Sequence, residues 1–174
     1  MAHRALTGVL LVGGASTRFG SPKALAVVDG QTLAERAWRL LGEACDERIA
    51  VGKREYELPF DVLDDASDVR APIVGVIAGL RAAQRDVAVV IPVDMPRLTV
   101  ESLYRLADAC LDVACPSTGP LPGAYRKTAL PALERALAER ELALRDAIHE
   151  LAVATVDLDP DVLVNVNTPD DVQL

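Results

Sequence analysis

Short apolar runs of strand length alternate with stretches of helical period from one end of this chain to the other. Residues 9–12, 48–51, 61–63, 87–91, 112–115 and 153–156 read as strands, and residues 31–42, a segment opening at Pro72, a segment from Thr99 to near Cys110, and residues 128–138 and 142–151 read as helices. In 31–42, Leu33, Ala37, Trp38 and Leu41 share one face and Gly42 is the expected stop. In the Pro72 helix, proline suits the first turn and Gly75 and Gly79 share a face. Val87-Ala88-Val89-Val90-Ile91 is the most strand-like run and is expected at the centre of the sheet. Residues 121–126 read as a strand interrupted by Pro122 and Gly123, at an edge or crossing point, and 169–172 as a terminal turn. Such alternation specifies an α/β fold in which parallel strands are covered by helices on both faces. A composition that is 51% hydrophobic yet 3% aromatic builds that core from Ala, Leu and Val, as doubly covered parallel strands require. The 174 residues suit a single domain spanning 1–174.

The turn after the first strand carries the chemistry. Residues 8–25, Gly-Val-Leu-Leu-Val-Gly-Gly-Ala-Ser-Thr-Arg-Phe-Gly-Ser-Pro-Lys-Ala-Leu, join an apolar strand to Gly13 and Gly14 and then to Arg18 and Lys23. Paired glycines let backbone N–H groups approach a ligand where a Cβ would collide. Arg supplies a planar fork for phosphate oxygens and Lys a point charge. The arrangement describes a nucleoside triphosphate site, yet it is neither of two common phosphate loops. Gly20 is followed by Ser21-Pro22-Lys23, so the lysine arrives too late for Gly-x-x-x-x-Gly-Lys-Ser/Thr, and Gly-x-Gly-x-x-Gly is absent.

A net charge of −8 argues against a nucleic-acid groove, and an acidic chain that holds a polyphosphate needs local cations and a divalent metal. Asp94 follows the central strand between Pro92 and Pro96. In an open parallel sheet the ends of the first and central strands face one crevice, so Asp94 is placed to hold Mg²⁺ against the phosphates, or else to cap the next turn. Asn165 and Asn167 alternate in Asn-Val-Asn-Thr-Pro-Asp-Asp, which turns both amides one way, toward the metal shell or a polar acceptor. One of Asp64 and Asp65 is a candidate reader of guanine, whose adjacent N1–H and N2–H suit a carboxylate; a solvated acidic turn is the alternative.

Cys45, Cys110 and Cys115 are odd in number and scattered, which favours a reducing cytoplasm over a disulfide framework or zinc knuckle. His3 and His149 are too few for histidine-based metal or triad chemistry. The apolar start is too short for a signal peptide, and no stretch reaches the roughly twenty apolar residues of a membrane span. A soluble cytoplasmic protein without membrane or nucleic-acid partners is expected.

Four segments, Leu-Val-Gly-Gly-Ala-Ser-Thr-Arg-Phe-Gly-Ser-Pro-Lys-Ala-Leu, Ala-Pro-Ile-Val-Gly-Val-Ile-Ala-Gly-Leu, Val-Asp-Met-Pro and Asn-Val-Asn-Thr-Pro-Asp-Asp, occur in an order that resembles the molybdenum cofactor guanylyltransferases, which implies the nucleotide-diphospho-sugar transferase type of fold, a three-layer, Rossmann-like, open and mostly parallel sheet with helices on both faces. The resemblance implies Mg²⁺-dependent transfer of GMP from GTP to the terminal phosphate of molybdenum-bearing molybdopterin, with transient contacts to molybdoenzymes or delivery proteins. It assigns Leu11, Val12, Gly13, Lys23, Asp65 and Asp94 to the nucleotide, Asp94 also to the metal, and Asn165 and Asn167 to the metal or the pterin acceptor; the chemistry of the loop adds Gly14 to the nucleotide contacts and points to Arg18, Lys23 and Asp94 as the catalytic set. The chain departs from that family at Val12, Phe19, Pro22 and Ala71, and Pro-Lys-Ala-Leu is closer to enzymes that transfer CMP to the same pterin. CMP transfer, nucleotidyl transfer to a sugar or alditol phosphate, and a non-catalytic nucleotide-binding regulator are the rival readings.

Overall fold

The computed structural model describes residues 4–13, 22–167 and 171. Strand β1 (Arg4–Leu11) leads to a hairpin of β2 (Val27–Val28) and β3 (Gln31–Thr32), then α1 (Leu33–Ala44), β4 (Cys45–Gly52), β5 (Val62–Asp64), α2 (Pro72–Ala82) and β6 (Val87–Pro92). There follow α3 (Val100–Ala109), β7 (Val113–Cys115), β8 (Gly123–Arg126), α4 (Leu130–Ala138), α5 (Leu144–Ala147) and β9 (Val153–Thr155). The main sheet has the order β5-β4-β1-β6-β8-β7-β9, so β6 lies at its middle as the apolar run predicts. β1 pairs in parallel with both β4 and β6, and β4 with β5. The chain therefore winds outward on one side of β1 and crosses to the other, which opens a crevice beyond the carboxyl ends of β1 and β6.

Alternation along the buried strands builds two cores. Leu10 and Ile91 face Leu33, Leu41, Leu103 and Leu106 of α1 and α3. Val9, Leu11 and Val90 face Ile73, Ile77, Leu80 and Leu133 of α2 and α4. Val9, Leu10, Val89 and Val90 are wholly inaccessible, each contributing about 1.5–3 kcal/mol of burial. Helices α1 and α3 start cleanly because Thr32 and Thr99 accept from the N–H of Glu35 and Ser102, which return the bond to the cap backbone.

Several sequence expectations need correction. The first helix begins after Thr32 and passes Gly42 to Ala44. Gly42 is there for room: the Arg48 guanidinium lies against it, over the Trp38 ring, and donates to Trp38 O at 2.8 Å. The second strand extends over Cys45–Gly52, well beyond residues 48–51. β8 is not an edge: it lies antiparallel between β6 and β7. Pro122 precedes the strand and so removes no ladder bond, and a Cβ on Gly123 would fall 2.8 Å from the buried Tyr125 ring. The predicted helix over 142–151 contracts to the single turn α5, which has no side-chain cap and buries Leu144 and Ala147. The hairpin β2–β3 was unforeseen, although Asp29-Gly30, with φ of 49° and 78°, is a turn pair that favours hairpins. The terminal turn expected at 169–172 lies outside the described residues except for Asp171.

Candidate active site

The carboxyl ends of β5, β4, β1 and β6 form one rim, and the predicted site residues lie along it. At its centre β1 ends between two neighbours: Val12 N–H donates to Val51 O at 2.9 Å, and Val93 N–H donates to Leu11 O at 3.2 Å. Leu11 and Val12 are buried at the end of the strand. Gly13 runs beside the end of β4: a Cβ there would stand 3.7 Å from Gly52 Cα and 3.9 Å from Lys53 N, ordinary contact distances. Tyr56, half-buried, donates its hydroxyl to Val12 O at 2.5 Å and fixes the last carbonyl before the glycines. Burial raises the Tyr56 pKa above its ordinary value.

Lys23 opens a 3₁₀ turn, Lys23–Leu25, and reaches across the rim. Its Nζ lies 3.2 Å from Asp94 Oδ2 and 3.0 Å from Asn167 Oδ1. The Lys23 and Asp94 side chains are 21% and 22% exposed, sheltered yet open to a ligand. Backbone contacts hold the two acceptors in place: Val166 N–H donates to Asp94 O at 2.8 Å, and Asn167 N–H donates to Asp171 Oδ2 at 2.9 Å. Asn165 and Asn167 are exposed on either side of the buried Val166, the alternation expected for two amides turned one way. Lys23, Asp94 and Asn167, 144 residues apart at the extremes, thus meet at one point. Gly14 and Arg18 lie outside the described residues.

The other end of the rim carries Asp64 and Asp65. Asp64 accepts from Ala66 N–H at 2.7 Å, and that bond, with Lys53 second, holds its carboxyl below the usual carboxylate range. Asp65 is more sheltered, with 12% side-chain exposure; its Oδ1 accepts from Ser67 N–H at 3.1 Å and from Lys53 Nζ. Lys53 also meets Asp64 Oδ1 at 3.2 Å, and the bond to Asp65 leads the causes that raise its pKa. Sequence spacing gave no warning of Lys53 or Tyr56. Lys53 is placed by the parallel register that sets Gly52 opposite Asp64.

Asp94 and Asn167 supply one carboxylate and one amide oxygen, hard donors that already converge on a cation, the Lys23 ammonium. Among the described residues no group of three His, Cys, Asp or Glu side chains could hold a metal. A divalent cation taking few protein oxygens and completing its shell with phosphate and water, as Mg²⁺ does, fits this donor set. Helices α2 and α3 begin on the same rim, and their positive ends favour an anion there. A surface groove of about 680 Å³ lies at the opposite end of β4 between Glu35, Trp38, Arg48 and Pro59, away from these groups. Among the described residues no helix is long and apolar enough to cross a membrane.

Comparison with known proteins agrees with this fold. Residues 8–156 match the family model described as "MobA-like NTP transferase domain". The chain is 34% identical, over 99% of its own length and 94% of the relative's, to a Chloroflexus aggregans protein described as "Probable molybdenum cofactor guanylyltransferase". It is 28% identical, over 97% and 93%, to the "Molybdenum cofactor guanylyltransferase" of Desulfosudis oleivorans. Among solved structures, molybdopterin-guanine dinucleotide biosynthesis protein A from Archaeoglobus fulgidus superposes with a TM-score of 0.79 at 25% identity, covering 95% of this chain and 94% of that one.

Proposed function

Because the chain belongs to the MobA-like NTP transferase family and is a nucleotidyltransferase, we propose that it transfers GMP from GTP to the terminal phosphate of molybdenum-bearing molybdopterin, in the cytoplasm, and releases pyrophosphate. The observation that carries this reading is the meeting of Lys23 with Asp94 and Asn167, which joins the loop after β1 to the end of β6. Residues 1–174 act as one catalytic domain, and the product passes to molybdoenzymes or delivery proteins by transient contact.

An acceptor phosphate oxygen attacks the α-phosphorus in line, the bond from that phosphorus to the bridging oxygen breaks, and pyrophosphate leaves with the electron pair. The chain's work is positioning and charge compensation. The backbone at Gly13 and Gly14 lies against the triphosphate, with Leu11 and Val12 below it. Lys23 exchanges its carboxylate and amide partners for phosphate oxygens, and Arg18 grips a second pair of oxygens with its fork. Asp94, helped by Asn167, would hold Mg²⁺. When bound, Mg²⁺ neutralises charge on the phosphate oxygens as a Lewis acid and draws them into line. Asp65 accepts from the guanine edge, and Asn165 with Asn167 orients the acceptor. A phosphate monoester is already largely anionic at neutral pH, so no strong general base is required.

Pyrophosphate release with molybdopterin as acceptor, GTP and CTP being compared at equal concentration, tests the reading. Release that needs both GTP and the pterin is expected. Preference for CTP would favour the cytidylyl rival, and tight nucleotide binding with no turnover on any acceptor would favour the regulatory one.

A further inference from the structure

We propose that Lys53 is a specificity residue of the nucleotide site, the donor that reads position 6 of the purine while Asp65 accepts from positions 1 and 2. This rests on the GTP reading of the site and extends it to a residue that no motif marks. The distance along the rim is suitable. From β5 to β6 there are three strand spacings of about 4.8 Å, roughly 14 Å, so a nucleotide whose phosphates lie at Gly13 and Asp94 extends its base toward β4 and β5. Lys53 is the first residue beyond β4, and its backbone N adjoins the Cβ position of Gly13.

The donor and acceptor pattern fits one base. The Asp65 contacts from Ser67 and Lys53 both fall on Oδ1, which leaves Oδ2 for a ligand. The Lys53 ammonium has three N–H donors, of which Asp64 Oδ1 and Asp65 Oδ1 take two. The third N–H and the open carboxylate oxygen form a donor beside an acceptor. Guanine presents the complement, an O6 acceptor next to N1–H and N2–H donors, whereas adenine at position 6 and cytosine at position 4 present an amine that an ammonium opposes. Asp64, tied to Ala66 N–H, serves as the fixed counter-charge that keeps Lys53 on the rim.

The test is calorimetric titration of GTP, 6-thio-GTP, ITP and CTP into the full chain with Mg²⁺, for wild type, Lys53→Met and Lys53→Gln. Sulfur is a weak acceptor at position 6, and ITP lacks only the 2-amine, so the two analogues separate the Lys53 contact from the Asp65 contact. Wild type should bind GTP roughly tenfold more tightly than 6-thio-GTP, the size of one charge-assisted hydrogen bond. In Lys53→Met that ratio should fall close to one while the preference for GTP over ITP persists, and Lys53→Gln, which keeps an N–H donor, should lie between. The Lys53 side chain is 26% exposed, and its more sheltered partner, Asp65, keeps the bond from Ser67 N–H when Lys53 is replaced, so both variants should fold. Loss of ITP discrimination together with unchanged 6-thio-GTP discrimination in Lys53→Met would overturn the proposal, as would a wild-type ratio retained in full. Tighter binding of CTP than GTP by wild type would instead overturn the base assigned under the function itself.

Discussion

Replacing Asp94 by Asn removes one charge and little else, and the structure lets the two consequences be sized separately. The fold holds this residue through its backbone, since Val166 N–H donates to Asp94 O at 2.8 Å and Val93 N–H to Leu11 O at 3.2 Å. The side chain contributes the 3.2 Å ion pair with Lys23, between groups that are each about one-fifth exposed. Solvent screening limits such a pair to about 0.5–1 kcal/mol, which for a chain of this length shifts Tm by about 1–4 °C. The catalytic consequence is larger. Removing a group that stabilises charge developing in the transition state costs about 10²–10³ in turnover, or about 3–4 kcal/mol. Asp94→Asn should therefore melt within about 4 °C of wild type yet lose at least about a hundredfold in kcat, with no recovery at high Mg²⁺. Differential scanning calorimetry beside a pyrophosphate-release assay at saturating GTP reads both quantities. Turnover near the wild-type rate would refute the assignment of Asp94 to the reaction, and a collapse of Tm with normal specific activity in the folded fraction would make its carboxylate a structural group.

Three further outcomes follow from contacts elsewhere. Lys23→Ala should raise the Kd for GTP roughly tenfold with little change in Tm, read by titration, because it removes a charge-assisted phosphate contact; equal affinity would show that the loop after β1 does not hold the triphosphate. Gly79→Ala should destabilise the fold by about 1–2 kcal/mol in urea titration: its Cβ would stand 2.6 Å and 3.0 Å from the two Cγ atoms of the wholly buried Val9, and overpacking of that kind outweighs the gain in helix propensity. An unchanged midpoint would show that α2 can lift from β1 freely. Burial pushes the Cys45 thiol up to about 12 and the Cys110 thiol up to about 11. These thiols stay protonated when folded but ionise near 9 when unfolded, so their contribution is complete below pH 9 and is lost as pH rises toward 12. The alkaline fall in unfolding free energy should be shallower in Cys45→Ala than in wild type, and an identical slope would contradict the assignment.

The rim was legible in the sequence because its parts sit at strand ends. Val9 to Val12 and Val87 to Ile91 are runs that only a doubly covered sheet accommodates, and the residues after them, Gly13 and Asp94, inherit the crevice. Lys23 and Asn167 could be named from the chemistry they bring, but that they converge on Asp94 depends on how the chain winds around β1. Lys53 and Tyr56 were not legible, since a lone lysine and a lone tyrosine past a strand carry no periodic signal until β4 and β5 are in register. The elements that differ share a cause: by type Gly42 and Gly123 suggest a stop and an interruption, whereas each makes room for a large neighbour, the Arg48 side chain and the Tyr125 ring. Asp29-Gly30 was a readable hairpin turn that the short flanking strands concealed.

In the proposed reaction the loop after β1 and the acid after β6 are two walls of one cleft and share a metal-bound triphosphate. Crystals grown with Mn²⁺ and a non-hydrolysable GTP analogue, measured at the manganese absorption edge, address it directly. An anomalous peak about 2.1 Å from an Asp94 carboxylate oxygen, with the triphosphate lying along Gly13 to Lys23, is the predicted result. A peak away from Asp94, or a triphosphate bound off the β1–β6 rim, would contradict it.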